Sequence, residues 1–200
     1  MDNKFLNDPN IKNIIFDMGD VLLDFRPWLI AEKYTDNEED KDLILKELFT
    51  STAWTLADSG VFSIDDRYDV VKDRLPERLH KALYDSNYNW AECMTPHEGS
   101  QAFVKKMYEA GYNLFVLSNA SGEFHDYFPK FYDLSMFKGI VVSCDVKMLK
   151  PQIGIYKYLL DKYNLDPKEC VFFDDRETNV MGAKNAGINA VLFEDKFMEV

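Results

Sequence analysis

Residues 13–22 read NIIFDMGDVL. Within them, residues 13–18 form a short apolar run carrying one charge, Asp17, and Gly19 ends it. An apolar run of this length bounded by glycine reads as a buried strand. Four further runs share the pattern. Residues 112–117 (YNLFVL) are entered through Gly111, residues 139–143 (GIVVS) and 170–173 (CVFF) follow, and residues 188–193 (INAVLF) come after Gly187.

Helical spacing fills the gaps between these runs. Residues 99–110 place Phe103, Val104 and Met107 on one face, with Gly111 where a C-terminal cap falls. Residues 152–163 repeat Ile155, Tyr158, Leu159 and Lys162 behind Pro151, and residues 178–186 stop at Gly187. Residues 121–132 are read as a helix whose end is disturbed by Pro129. Strands alternating with amphipathic helices predict an α/β protein with a Rossmann-like parallel sheet. Residues 25–94 break the alternation. They show no strand pattern, are rich in Leu, Glu, Asp and Lys, and carry helical spacings such as Leu43, Leu45, Leu48 and Val70, Val71, Leu75. A stretch of that length is too long for one crossover, so it reads as a separate helical insertion. The division expected is a core of residues 1–24 plus 95–200 and a helical cap of residues 25–94.

Composition narrows the class. Of 200 residues, 46% are hydrophobic, with 15 Phe and 11 Tyr, enough for a sizeable core. Thirty-five acidic residues against 23 basic ones give a formal charge of −12. Such a chain repels a phosphate backbone, and no basic run or helix offsets this, so nucleic acid is not the expected partner. Cys93, Cys144 and Cys170 are widely spaced and odd in number, which argues against zinc or a disulfide framework. The start, MDNKFLNDPN, is polar, and no apolar run reaches the roughly 18 residues of a membrane span. A soluble cytoplasmic protein, with no membrane partner, is the expectation.

In open α/β sheets ligands gather beyond the carboxyl ends of the strands. The first strand delivers Asp17 there and the second Ser118 and Asn119. The third leads to Lys150, and the fourth ends at Asp174 and Asp175. Three carboxylates in one cleft repel one another, and a bound divalent cation with oxygen ligands, Mg²⁺, removes the repulsion. The cation and Lys150 can then neutralise a phosphoryl group while Ser118 and backbone amides hold its oxygens. Asp17 is placed to attack phosphorus, a reaction in which Asp carboxylates form covalent intermediates.

FDMGDVL, VLSN, Lys150-Pro151 and FFDDRETNVMGAKNAG resemble, in order, the four motifs of the haloacid dehalogenase (HAD) superfamily. The likeness is strongest to small bacterial sugar-phosphate phosphatases similar to α-D-glucose-1-phosphate phosphatase. In the cap only DSGVFSIDD (residues 58–66) looks familial. The resemblance implies that Asp17 is the nucleophile and, with the backbone carbonyl of Gly19 and with Asp175, binds Mg²⁺. It implies that Ser118 and the amide of Asn119 hold the phosphoryl group, and that Lys150 pairs with it and with Asp17. Met18, Gly19, Ser118, Asn119 and Lys150 make up the substrate-binding set. Asp174 is the neighbouring carboxylate placed with the metal group, and Asn179 falls where relatives carry a supporting acid. Asp17, Ser118 and Lys150 are then the catalytic residues of a Mg²⁺-dependent phosphatase for a small phosphorylated metabolite, a sugar phosphate by resemblance.

One position departs from the pattern. Gly19 stands where most such phosphatases carry an Asp that protonates the leaving alcohol and later activates water. Asp20 is one position further on, where a turn is expected to point it elsewhere. A 2-haloacid dehalogenase lacks that Asp as well, but Asp174 and Asp175 without a cation would repel its anionic substrate. A weakly active protein that binds a phosphorylated ligand is the third reading. Trp54, Trp90, Arg67 and Arg74 are the insertion's candidates for substrate contact, beside core and surface roles. His125 follows Ser118 where relatives often carry a His, and reads equally as a solvated or hydrogen-bonded residue; His80 and His97 read as surface or loop residues.

Overall fold

The computed structural model describes residues 8–194; residues 1–7 of the polar start lie outside them. The chain opens with β1 (Asn13–Phe16) and β2 (Leu23–Phe25). Helices α1 (Pro27–Tyr34), α2 (Glu38–Ile44), α3 (Thr52–Asp58), α4 (Ile64–Lys72) and α5 (His80–Asn89) follow. The chain returns through β3 (Met94–Pro96), α6 (Ser100–Glu109), β4 (Asn113–Ser118) and α7 (Phe124–Tyr127). It finishes with β5 (Phe137–Val142), α8 (Ser143–Val146), α9 (Ile153–Tyr163), β6 (Cys170–Asp174), α10 (Glu177–Asn185) and β7 (Asn189–Leu192).

Five parallel strands form one sheet in the order β5-β4-β1-β6-β7, which matches the α/β expectation. The central strand explains the order. Ile14, Ile15 and Phe16 are all fully buried, as a strand covered on both faces must be. Successive side chains point to opposite faces. Ile14 and Phe16 pack into a cluster with Phe103, Val104 and Met107 of α6, while Ile15 joins Ile155 and Leu159 of α9 and Val180 of α10. Strand order reverses at β1, so its carboxyl end opens on a crevice.

The strand itself stops at Phe16, two residues earlier than its apolar run. Beyond it Met18 turns sharply, its carbonyl accepting from the N–H groups of Leu22 and Leu23 at 2.9 Å each. Asp17 keeps one ladder bond, its N–H donating to the Phe173 carbonyl at 2.8 Å, and Asp17 and Gly19 line the crevice beyond it.

The expectation of a strand-free insertion is amended at both ends. Phe25 and Met94 pair in an antiparallel ribbon of β2 and β3, in register Leu23↔Pro96 and Phe25↔Met94. Exit and return run side by side, and pairing satisfies their backbone groups. The material between is helical, as its spacing requires. Residues 121–132 also differ from expectation. Only α7 is α-helical there, and a 3₁₀ turn, Phe128–Lys130, follows, because Pro129 has no N–H to continue the α pattern.

The end of α3 leans directly on the core. Gly60 has φ +70°, and a Cβ there would lie 2.3 Å from the carbonyl oxygen of Cys144. Gly60→Ala is therefore expected to lower stability by roughly 1–3 kcal/mol, from backbone strain and overpacking together. Chemical denaturation measures this, and an unchanged midpoint would show that the contact can relax freely.

Candidate active site

A cavity of about 360 Å³ lies at the carboxyl end of β1, between the sheet and the helical insertion. Asp17, Met18, Gly19, Asn119, Lys150 and Asp175 line it. Ser118 and Asp174 are buried outside that lining, with 1% and 0% of their surface exposed. The six residues read from the strand ends thus gather at one place, together with Met18 and Gly19 of the first motif.

Lys150 is the hub. Its ammonium lies 2.7 Å from Asp17 Oδ1 and 2.7 Å from Asp174 Oδ2, with no side-chain exposure of its own. Burial works against the ammonium, but Asp17 and Asp174 hold its proton and keep its pKa above the usual lysine range. The backbone of Lys150 is fixed as well. Its N–H donates to Asn119 Oδ1 at 2.8 Å, and its carbonyl accepts from Asn119 Nδ2 at 2.9 Å. The side chain of Asn119 is thus a clamp on Lys150, a role that the motif reading, which used only its amide, did not contain.

Asp174 is engaged through both oxygens. Oδ1 accepts from the N–H of Arg176 and from Asn179 Nδ2, each at 2.9 Å, while Oδ2 meets Lys150 and Asn179. Asn179 therefore orients Asp174. Asp17 accepts from the N–H of Met18 at 2.6 Å, which engages that amide with the carboxylate. Ser118 differs from all of these, because its Oγ is buried with no hydrogen-bond partner. An orphaned buried hydroxyl is costly, and an incoming oxygen-rich group would satisfy it.

Asp17, Asp174 and Asp175 each offer an oxygen within 4.8 Å of the others. Burial first, then the charges of Asp174 and Asp175, raise the Asp17 carboxyl from 3.8 to about 8 against the opposing pull of Lys150. Asp175 is raised too, by burial and then by Asp174 and Asp20. Such a hard, mutually repelling oxygen set fits Mg²⁺. Asp58, which also lines the cavity, is likewise pushed by burial to about 8.

The sign of the resulting pH dependence is fixed. Folded values above the unfolded 3.8 mean that the native state holds protons that the unfolded chain releases. Metal-free stability therefore falls as pH rises from near 4 to about 8. Mg²⁺ competes with those protons at Asp17, so it is expected to raise Tm more at pH 8 than at pH 5. Thermal melts with Mg²⁺ or chelator check this; a Mg²⁺ shift independent of pH would remove the cluster as the binding place.

The upper half of the cavity is aromatic. Phe25, Phe49, Trp54 and Trp90 line it, with Trp54 5.0 Å from Phe49 and 5.2 Å from Trp90 between ring centres. Of the insertion candidates, Trp54 and Trp90 thus reach the cavity, but Arg67 and Arg74 do not. Arg67 is fully buried, donating to Asn87 at 2.7 Å and to Glu123 at 3.0 Å, and stacked 4.4 Å from the Trp54 ring. Arg74 is exposed. His125 sits 3.0 Å from Asp145, away from the cavity. His80 contacts the Leu75 carbonyl, and His97 contacts Asp24 at 2.6 Å. Asp20 has φ 54°, and its carboxylate accepts from the N–H of Phe25 at 3.0 Å, so it holds the ribbon.

Strand-end carboxylates around a buried lysine, beneath an inserted helical layer, define a hydrolase of the parallel-sheet α/β class. Residues 14–193 match the haloacid dehalogenase-like hydrolases, and the chain belongs to that family. A sesquiterpene phosphatase of Aspergillus oryzae is 26% identical over 183 residues, covering 88% of this chain and 87% of that protein. The bifunctional epoxide hydrolase 2 of Rattus norvegicus is 39% identical over 59 residues, 30% of this chain and 11% of that protein. Among solved structures, a HAD family enzyme of Bacteroides thetaiotaomicron, in complex with magnesium and inorganic phosphate, superposes with a TM-score of 0.72. It is 20% identical, with 92% of this chain and 95% of that one covered. The L-2-haloacid dehalogenase of Xanthobacter autotrophicus, with chloropropionic acid covalently bound, gives a TM-score of 0.66 at 17% identity, covering 90% and 76%. No helix among the described residues is long and apolar enough to cross a membrane.

Proposed function

We propose that this chain is a Mg²⁺-dependent phosphatase that cleaves a small phosphorylated metabolite through an aspartyl-phosphate on Asp17. The observation that carries the reading is the buried Asp17–Lys150–Asp174 chain, with the unpartnered Ser118 hydroxyl beside it. Bound by Asp17, Asp175 and the Gly19 carbonyl, with Asp174 in support, Mg²⁺ would neutralise the carboxylates and polarise a phosphoryl oxygen. Lys150 orients Asp17 and favours its ionised form against burial, and it offers positive charge to the phosphoryl group. Ser118 and the Asn119 amide take the remaining oxygens. A dehalogenase needs no cation, and three clustered carboxylates are a poor setting for an anionic haloacid.

The aromatic wall favours a leaving group with an apolar face. Two hydroxyls beside it, those of Thr50 and Ser51, already donate to the carbonyls of Lys46 and Leu48. A sugar ring presents C–H faces to such a wall, so a sugar phosphate is the first class to test. A prenyl phosphate is the second, in keeping with the Aspergillus phosphatase. Phosphate release is measured on panels of both classes with Mg²⁺ and with chelator. Mg²⁺-dependent release from one panel is expected; absence from both, or release indifferent to chelation, would refute the reading.

A further inference from the structure

Gly19 leaves the proposed phosphatase without a side chain to handle the leaving group's proton. A Cβ added there would meet nothing within 4 Å, so no neighbouring side chain has moved in to fill the place. The cavity lining contains no histidine and four carboxyls: Asp17, Asp20, Asp58 and Asp175. Asp17 and Asp175 belong to the cation set, and Asp20 holds the N–H of Phe25. Lys150 and Tyr127 keep their protons too firmly for the task. Asp58 remains.

Resting on the phosphatase reading, we propose that Asp58, on the last turn of α3, is the general acid and base of this site, in place of a side chain at position 19.

Asp58 is held against the core. Ser143 Oγ donates to the Asp58 carbonyl and accepts from the N–H of Ala120 at 3.0 Å, which joins the α3 end to the loop after β4. Lys147 Nζ donates to the Gly60 carbonyl at 3.0 Å, and Gly60 itself abuts Cys144. The acid is therefore fixed relative to the phosphoryl site although it comes from the insertion. The groups facing its carboxyl are Arg67, Glu123, Arg176, Tyr127, Cys144 and the Ser121 amide. Burial outweighs Arg67 and Arg176, so Asp58 carries its proton near neutral pH, as a general acid must. Once it has given up the proton, the same two arginines and the Ser121 amide stabilise the carboxylate.

The steps balance. An Asp17 oxygen bonds to phosphorus, the bond from phosphorus to the ester oxygen breaks, and that oxygen leaves as an alcohol with the Asp58 proton. A water oxygen then bonds to phosphorus while Asp58 takes the water's proton. The bond from phosphorus to Asp17 breaks, its electron pair returns to the carboxylate, and phosphate leaves.

The test compares wild type with Asp58→Asn on an alkyl phosphate, which needs a proton, and p-nitrophenyl phosphate, whose leaving group needs none. Turnover of the alkyl ester should fall by about 10²–10³-fold. With the aryl ester the variant should release nitrophenol in a burst near one per enzyme, then slowly, because the phospho-enzyme lacks its base. Gly19→Asp in the Asp58→Asn background should recover alkyl-ester turnover. Asp58→Ser, checked by melting for folding, is the second variant should the amide disturb the seam. Equal losses on both esters without a burst, or no loss, would overturn the proposal while leaving the phosphatase reading intact. A wild type inert on every ester, alkyl and aryl, would sink both.

Discussion

Asp17→Asn is expected to reduce turnover to the assay background, a loss on the order of 10⁴-fold or more. The substitution keeps shape and removes the attacking oxygen charge. It should not unfold the protein. Asp17 sits in a buried group with Asp174 and Asp175, and burial first, then their charges, already push its carboxyl up to about 8. Neutralising one member relieves repulsion, so the metal-free variant should melt at or above the wild-type temperature, as sites that trade stability for activity do. Mg²⁺ affinity should weaken in the same variant, since one ligand charge is gone. A variant that retains turnover would remove Asp17 as the nucleophile, whatever its stability.

Lys150→Met has the opposite signature, because it strips the cation from two buried anions. The Lys150 side chain is fully buried, Asp174 is too, and Asp17 is 10% exposed. Removing one partner of such a set typically costs about 3–5 kcal/mol, because the survivors stay desolvated and uncompensated. The loss should be largest near pH 8 and shrink toward pH 5, where Asp17 takes up a proton. Turnover should fall with it, and exogenous amines should not restore it in a site this enclosed. Denaturant midpoints at both pH values, with the metal chelated, give the comparison. A pH-independent loss would mean that Lys150 acts by packing alone.

Much of the core was legible in sequence because its physics is local. A strand buried on both faces must be apolar throughout, so a charge at its exit, such as Asp17 or Asp174, stands out in one dimension. The insertion obeys a weaker code. Helical spacing marks Leu48 and Val71 as buried but does not say which face meets the core, so Trp54 and Trp90 could not be assigned to the cavity. Arg67 was harder still, because a fully buried guanidinium depends on Asn87, Glu123 and the Trp54 ring, brought together only by folding. Asp58 was visible within a familial stretch, yet its place depends on Ser143 and Lys147, some 85 residues away along the chain. The ribbon of β2 and β3 escaped notice because three-residue strands carry no periodicity to read.

The paired indoles of the cavity wall have an optical consequence. Of three tryptophans, Trp54 and Trp90 line the cavity in edge-to-face contact, while Trp28 is half exposed on α1. Trp54 also stacks on the Arg67 guanidinium, and the Trp90 N–H donates to Glu123. Anything that fills the space above Asp17 must alter the polarity around two of the molecule's three indoles. The protein thus carries its own emission gauge of occupancy, readable without label or turnover.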